Sequence, residues 1–161
     1  MVESVDWDRA RAVVEAGPGT GAITGEILTR LRQGTLFFAV ELHPGLGEIF
    51  RRHYPQVTLV QDSIENLSRL CRQQGVEQVD CVISGLPWAS FPAGRQSDLL
   101  DAIVSVLPPG GQFVTFAYLQ GVILPAGRRF QALLKDRFSE VSRSRVTWTN
   151  VPPAFVYRCR R

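Results

Sequence analysis

Short runs rich in apolar residues alternate with stretches of helical spacing along the whole chain. The runs Arg11–Glu15, Thr35–Glu41, Val57–Gln61, Val79–Ile83 and Gln112–Tyr118 have strand length. Thr35-Leu-Phe-Phe-Ala-Val-Glu41 is apolar without a break, as expected of a strand covered on both faces. Between these runs, Gly21–Leu31, His43–His53, Ile64–Gln74, Ser97–Leu107 and Arg128–Phe138 carry apolar residues at helical spacing. Gln33-Gly34, Pro55, Gly75 and Pro108-Pro-Gly-Gly111 separate the elements. Two short strands follow, around Val141–Thr147 and Ala154–Tyr157. Strand and helix in alternation predict an α/β fold, with helices on both faces of a mostly parallel sheet.

The chain has 161 residues, which suits one domain over 1–161, since domains most often run about 100–150 residues. Hydrophobic residues at 45% and charged residues at 20% exclude a disordered or low-complexity chain. About ten residues precede the first strand, so no substantial N-terminal cap is expected. The longest apolar runs, such as Gly121-Val-Ile-Leu-Pro125, are far shorter than the roughly 18 residues of a membrane span, and the N-terminus is acidic rather than signal-like. The expected location is therefore the cytoplasm. Cys71, Cys81 and Cys159 form no Cys-x-x-Cys pair and read as free thiols, with Cys81 buried in a strand. His43 and His53 belong to no cluster of metal-ligand spacing, and no bound metal is expected. Trp7 and Trp148 read as packing residues.

Charge is unevenly spread. Residues 1–101 hold 13 acids against 9 bases, net −4, and residues 102–161 hold 2 acids against 9 bases, net +7. A basic C-terminal part suits RNA phosphates, an anionic membrane surface, an anionic substrate, or a merely solvated face, and charge alone does not choose among them.

The chemistry sits at the ends of the first strands. Glu15-Ala-Gly17-Pro-Gly19-Thr20-Gly21 lies between the first strand and its helix, where glycines permit a tight turn and helix N–H groups can face a ligand. Glu41, followed by Leu42, closes the second strand twenty residues after Gly21, where a carboxylate can hold both hydroxyls of a ribose. Asp62, before Ser63 and Ile64, closes the third strand within reach of an adenine amine in the same crevice. His43 is expected beside the ribose. Together these point to a nucleoside cofactor. Gly17-x-Gly19-x-x-Ala22 also fits a dinucleotide fingerprint, but Glu15 would repel a pyrophosphate and tolerate a cationic sulfonium.

With its acid-x-Gly-x-Gly-x-Gly turn from Glu15 to Gly21, the chain resembles the class I S-adenosylmethionine-dependent methyltransferases. The resemblance implies a Rossmann-like, seven-stranded sheet whose last strand is antiparallel. It also implies S-adenosyl-L-methionine as methyl donor, leaving S-adenosyl-L-homocysteine, with Glu41 at the ribose and Asp62 at the adenine. Glu15, Gly17, Gly19, Thr20, Gly21, Leu42, Ser63, Ile64 and Ser84 complete the expected cofactor site.

The loop after the fourth strand, Ser84-Gly85-Leu86-Pro87-Trp88, should receive the acceptor. Adenine-N6 methyltransferases carry Asn-Leu-Pro-Tyr or a close variant there, and Gly85 stands in place of the amide. Ser84-Gly-Leu-Pro with Trp88, Gly111-x-Phe-Val-x-Phe-x-Tyr118 and Asn150-Val-Pro-Pro-Ala-Phe-Val-Tyr157 look like the bacterial phospholipid N-methyltransferases. That likeness implies methyl transfer to the amine of a phosphatidylethanolamine-type head group, at the inner membrane surface, with Trp88 and Tyr118 lining the head-group site. No general base stands out near the loop. The alternatives are an rRNA adenine N6-methyltransferase-like enzyme using the basic C-terminal part, a NAD-dependent oxidoreductase, and a non-catalytic cofactor-binding domain.

Overall fold

The computed structural model of the chain describes residues 1–161. Its seven strands are β1 (Ala12–Ala16), β2 (Leu36–Val40), β3 (Thr58–Val60), β4 (Cys81–Ser84), β5 (Gln112–Tyr118), β6 (Glu140–Arg143) and β7 (Ala154–Arg160). They form one sheet in the order β3-β2-β1-β4-β5-β7-β6. β1 to β5 pair in parallel, and β7 runs antiparallel to β5 and β6. The strand order reverses between β1 and β4, so a crevice opens over their carboxyl ends.

Five helices cover the sheet: α1 (Thr24–Leu28), α2 (Pro44–His53), α3 (Leu67–Gln73), α4 (Ala93–Val106) and α5 (Pro125–Arg137). β1 shows how the layers arise. All five of its residues are buried; Ala12, Val14 and Ala16 pack with α3, α4 and α5, while Val13 packs with Ile27 of α1 on the other face. Leu67, Leu100, Ile103 and Leu134 are fully buried in the first layer, each stabilising the fold by roughly 1.5–3 kcal/mol over an exposed side chain. Cys81 is fully buried in β4. Phe50 of α2 packs on Ala39 of β2. No helix is long and apolar enough to cross a membrane.

Several boundaries differ from the periodicity. The predicted helix Gly21–Leu31 shrinks to Thr24–Leu28, because Gly21 has φ +92°, outside the helical region. α4 starts at Ala93, four residues before Ser97, since its first turn is polar and leaves no apolar stripe to read. α5 starts at Pro125, a residue whose fixed φ and missing N–H suit the first helical position. The strand expected over Val141–Thr147 contracts to β6 plus a single bridge from Thr147 to Ala154. Ile64–Gln74 divides into a 3₁₀ turn (Ile64–Asn66) and α3.

Residues 1–10 lie against the α1 side of the sheet. Val2, Val5 and Ala10 are buried there, and the Asp6 N–H donates to Gln112 Oε1 at 2.8 Å. Gln112 begins β5, so this segment sits near the amino ends of the strands, away from the crevice. Trp7 packs in that layer and donates from Nε1 to the Val2 carbonyl at 2.9 Å. Trp148, expected to pack, is instead 71% exposed.

Candidate functional site

The turn after β1 is shaped by what stands across from it. The Gly17 N–H donates to the Val40 carbonyl at 2.9 Å, and the Gly85 N–H donates to the Ala16 carbonyl at 2.9 Å, so the turn is held from β2 and from the β4 loop. Gly17 has φ +69°, and a β-carbon there would meet Leu86 Cδ2 at 2.5 Å. A β-carbon on Gly85 would sit 2.4 Å from the Gly17 carbonyl oxygen. The glycine that replaces an amide in the Gly85-Leu-Pro-Trp loop is therefore a packing requirement of two abutting turns.

Glu41, 7% exposed, is fixed through both carboxylate oxygens: Oε2 accepts from the Gly19 N–H at 3.0 Å and Oε1 from the His43 N–H at 2.8 Å. Each oxygen keeps a further acceptor position for a diol. Asp62 accepts from Asn66 Nδ2 (2.8 Å), the Ser63 N–H (2.7 Å) and Arg69 (2.5 Å), and these partners, led by Asn66, hold its carboxyl below the usual range. His43 caps α2, its Nδ1 accepting from the Leu46 N–H at 3.4 Å.

These groups converge. A cavity of about 620 Å³ at the carboxyl ends of β1, β2 and β3 is lined by Gly17, Glu41, Leu42, His43, Asp62, Ser63 and Ile64 from the expected set, with Leu86 and Pro87 forming one wall. Phe91, Arg95 and Leu99, on or just before α4, close it from the other side; periodicity marked Leu99 as a helix-face residue but gave no sign of Phe91 or Arg95. The volume suits an adenosyl amino acid. Gly19 has open space where a side chain would be and turns its N–H to Glu41, leaving room for a ligand against the turn. The residues present fit the cofactor expected of them.

Five expected cofactor residues lie outside that lining: Gly19, in the turn beside it; Gly21, whose carbonyl accepts from the Tyr54 hydroxyl at 3.0 Å; and Glu15, Ser84 and Thr20. Glu15 is 1% exposed and points to the α1 face, where Oε2 accepts from Thr24 Oγ1 at 2.7 Å and Oε1 has no partner. Burial pushes its carboxyl up to about 7, against the opposing Thr24 hydrogen bond. The structure thus gives Glu15 a place behind the glycine turn, bracing α1. Ser84 is fully buried; its Oγ accepts from the Leu86 N–H (3.2 Å) and from Trp88 Nε1 (3.1 Å), so it ties the loop to itself. Thr20 is exposed at the turn's outer edge.

Leu86 and Pro87 also wall a second cavity of about 220 Å³, between the β4 loop, the end of β5 and the start of α5. Trp88, Phe116, Tyr118, Phe130 and Tyr157 line it, and no charged residue does. Trp88 is 3% exposed, its ring stacked on Phe130 at 4.5 Å, so it forms the floor of this cavity; Tyr118, 44% exposed, stands at its mouth. Tyr157 is buried with its hydroxyl unpartnered, and burial raises that hydroxyl's pKa. Gln96 was not anticipated. Its Nε2 donates to the Trp88 carbonyl (2.7 Å) and the Ala126 carbonyl (3.1 Å), joining the loop to α5. The available signal was a polar residue in the stripe Gln96, Leu99, Leu100, Ile103 of a buried helix face.

Comparison with known proteins agrees with this geometry. Residues 13–111 match the methyltransferase domain family. An ornithine lipid N-methyltransferase from Singulisphaera acidiphila is 33% identical over 162 residues, covering 99% of this chain and 80% of that protein. Among solved structures, the O-methyltransferase from Bacillus cereus in complex with SAH superposes with a TM-score of 0.74 at 14% identity, over 94% of this chain and 74% of that one. The N-methyltransferase NodS from Bradyrhizobium japonicum WM9 superposes with a TM-score of 0.72 at 15% identity, over 94% and 85%. At these identities the superpositions establish a shared fold.

Proposed function

The chain belongs to the methyltransferase domain family, as a class I S-adenosylmethionine-dependent methyltransferase, and from that premise we propose that it methylates the amine nitrogen of a lipid head group. The observation that carries the acceptor reading is the second cavity: it is aromatic, lacks any charged lining residue, and shares the Leu86–Pro87 wall with the cofactor cavity. The ornithine lipid N-methyltransferase relative supports an amine-bearing lipid in general, whether aminoacyl or phosphatidylethanolamine in type.

S-adenosylmethionine supplies an electrophilic methyl group on a sulfonium. Glu41 would hold the ribose hydroxyls through the acceptor positions that Gly19 and His43 leave free. Asp62, kept ionised by Asn66, Ser63 and Arg69, would accept from the adenine amine. Gly17, Leu86 and Pro87 would hold the methionine end, and the Ser84–Trp88 loop would receive the acceptor in the cavity that shares the Leu86–Pro87 wall. No side chain is needed as general base. An amine drawn into a pocket without charges is desolvated, which favours its neutral form and frees the lone pair, while the departing proton goes to water. The methylated cation that results faces aromatic rings, which tolerate it without a carboxylate.

The test is to follow label from methyl-labelled S-adenosylmethionine into detergent-dispersed ornithine lipid, phosphatidylethanolamine or total RNA. Label in either amino lipid supports the reading and tells the two head groups apart. Label in RNA alone overturns it. Glu41→Ala should weaken S-adenosylhomocysteine binding in titration calorimetry by about tenfold or more, with unchanged circular dichroism.

A further inference from the structure

Eight large apolar side chains remain exposed, and six of them lie at the end of β5 and on two loops at the carboxyl end of the sheet. Tyr118 ends β5, and Leu119, Ile123 and Leu124 follow it; Trp148 and Val151 precede β7. The loops lie side by side, because Tyr118 pairs with Ala154, the Leu119 N–H donates to the Pro153 carbonyl at 2.8 Å, and Thr147 bridges to Ala154. Val151 is 98% exposed and Ile123 69%, an apolar surface that a chain alone in water has no reason to gather in one place.

Positive charge surrounds it. Arg128 and Arg129, in the first turns of α5, and Arg145, between β6 and the bridge, are exposed and belong to none of the ion pairs of the fold. The two acids beyond residue 101 are Asp136, in the last turn of α5, and Glu140, which opens β6; both lie toward the opposite end of the sheet. The patch therefore carries apolar tips and uncompensated arginines together.

We propose that this surface docks the protein on an anionic lipid bilayer, with Ile123, Trp148 and Val151 entering the head-group boundary and Arg128, Arg129 and Arg145 meeting phosphates. A second copy of the chain would set these arginines against one another, and RNA offers nothing to protruding aliphatic tips, so the bilayer is the occupant that suits both halves of the patch. The inference rests on the lipid reading of the acceptor cavity and deepens it: Tyr118 and Leu124 belong to both the patch and the cavity lining, so an amino lipid reaches the cavity from within the layer.

The experiment is flotation of the full chain, bound to S-adenosylhomocysteine, with vesicles of phosphatidylcholine alone or with phosphatidylglycerol added. The expected result is binding that requires phosphatidylglycerol, weakens with salt, and shifts tryptophan emission to the blue, the shift vanishing in Trp148→Phe. The double variants Arg128→Glu with Arg129→Glu, and Ile123→Asp with Val151→Asp, should each lose about tenfold or more of the partition while keeping S-adenosylhomocysteine affinity as evidence of folding. Absence of vesicle binding, or undiminished binding by both double variants, overturns the proposal. So does a dimer that shifts Trp148 emission without vesicles, or RNA binding that outcompetes them. Methyl transfer to detergent-dispersed lipid is read separately: transfer without vesicle binding sinks the docking surface and spares the activity, and vesicle binding without transfer does the reverse.

Discussion

A side chain at position 85 has nowhere to go, because its first carbon would lie 2.4 Å from the Gly17 carbonyl oxygen, and that carbonyl belongs to the turn that shapes the cofactor cavity. Gly85→Asn, which would restore the amide of the adenine-type loop, should push Gly17 aside. It is expected to destabilise the fold by about 1–3 kcal/mol in urea titration and to weaken S-adenosylhomocysteine binding, without conferring methyl transfer to adenine. Glu15 yields a prediction of a different sort. Its carboxyl rises from 4.5 to about 7 in the fold because burial outweighs the Thr24 hydrogen bond. Between those values the folded chain keeps a proton that the unfolded chain has released, so the stability linked to it is full below pH 4.5 and is lost as pH rises through about 7. Glu15→Gln cannot titrate. Relative to the wild type, its stability should grow from pH 5 to pH 8, by up to about 3 kcal/mol, in denaturant melts compared at the two pH values; parallel pH profiles would contradict this. Residue type and spacing set Glu41, Asp62 and Glu15 in one crevice because all three lie at strand ends; Glu41 and Asp62 line the cavity, and Glu15 is buried beside Thr24. A one-dimensional pattern does not tell which face of β1 the fifteenth residue takes.

Elements carry the same lesson about what a pattern encodes. The strands and the long helices were legible, since burial on one or both faces imposes the periodicity that was read. The ends of α1 and α4 and the 3₁₀ turn Leu119–Ile123 were not, because backbone conformation at Gly21 and a polar first turn leave no apolar mark. The join between elements at the acceptor cavity was equally silent, and it rests on Gln96. One amide group of α4 donates to a carbonyl of the β4 loop and to one of α5, fixing the floor of the cavity against its far wall. Gln96→Met keeps much of the volume and removes both donors. Two hydrogen bonds are lost, although the Trp88 carbonyl keeps the Phe91 N–H at 3.2 Å, so stability should fall by about 1–3 kcal/mol. Turnover should fall as well, with S-adenosylhomocysteine affinity unchanged, since the cofactor cavity does not use this amide; equal losses in affinity and turnover would reduce Gln96 to a general structural role.

At the scale of the whole molecule, the parallel part of the sheet sends its carboxyl ends to one side, and both cavities open there. A ligand in the larger cavity touches segments that follow β1, β2, β3 and β4, and so spans both halves of the sheet on either side of the reversal in strand order. Unfolding any of those strands destroys the site, so binding free energy becomes folding free energy. S-adenosylhomocysteine at a hundred times its dissociation constant should therefore add about 2.7 kcal/mol to stability. For a chain of this size that corresponds to a rise in Tm of about 5–10 °C. NAD should give no such rise, because the cavity of about 620 Å³ suits an adenosyl amino acid, and the one arginine in its lining, Arg95, stands 4.0 Å from Glu65. At the same ligand concentration, Glu41→Ala should remove about half of the shift with S-adenosylhomocysteine or more, while its own melt stays a single transition. A scan in which NAD stabilises the chain and S-adenosylhomocysteine does not would reverse the assignment of the cavity, and with it the distinction between a methyl donor and a hydride donor.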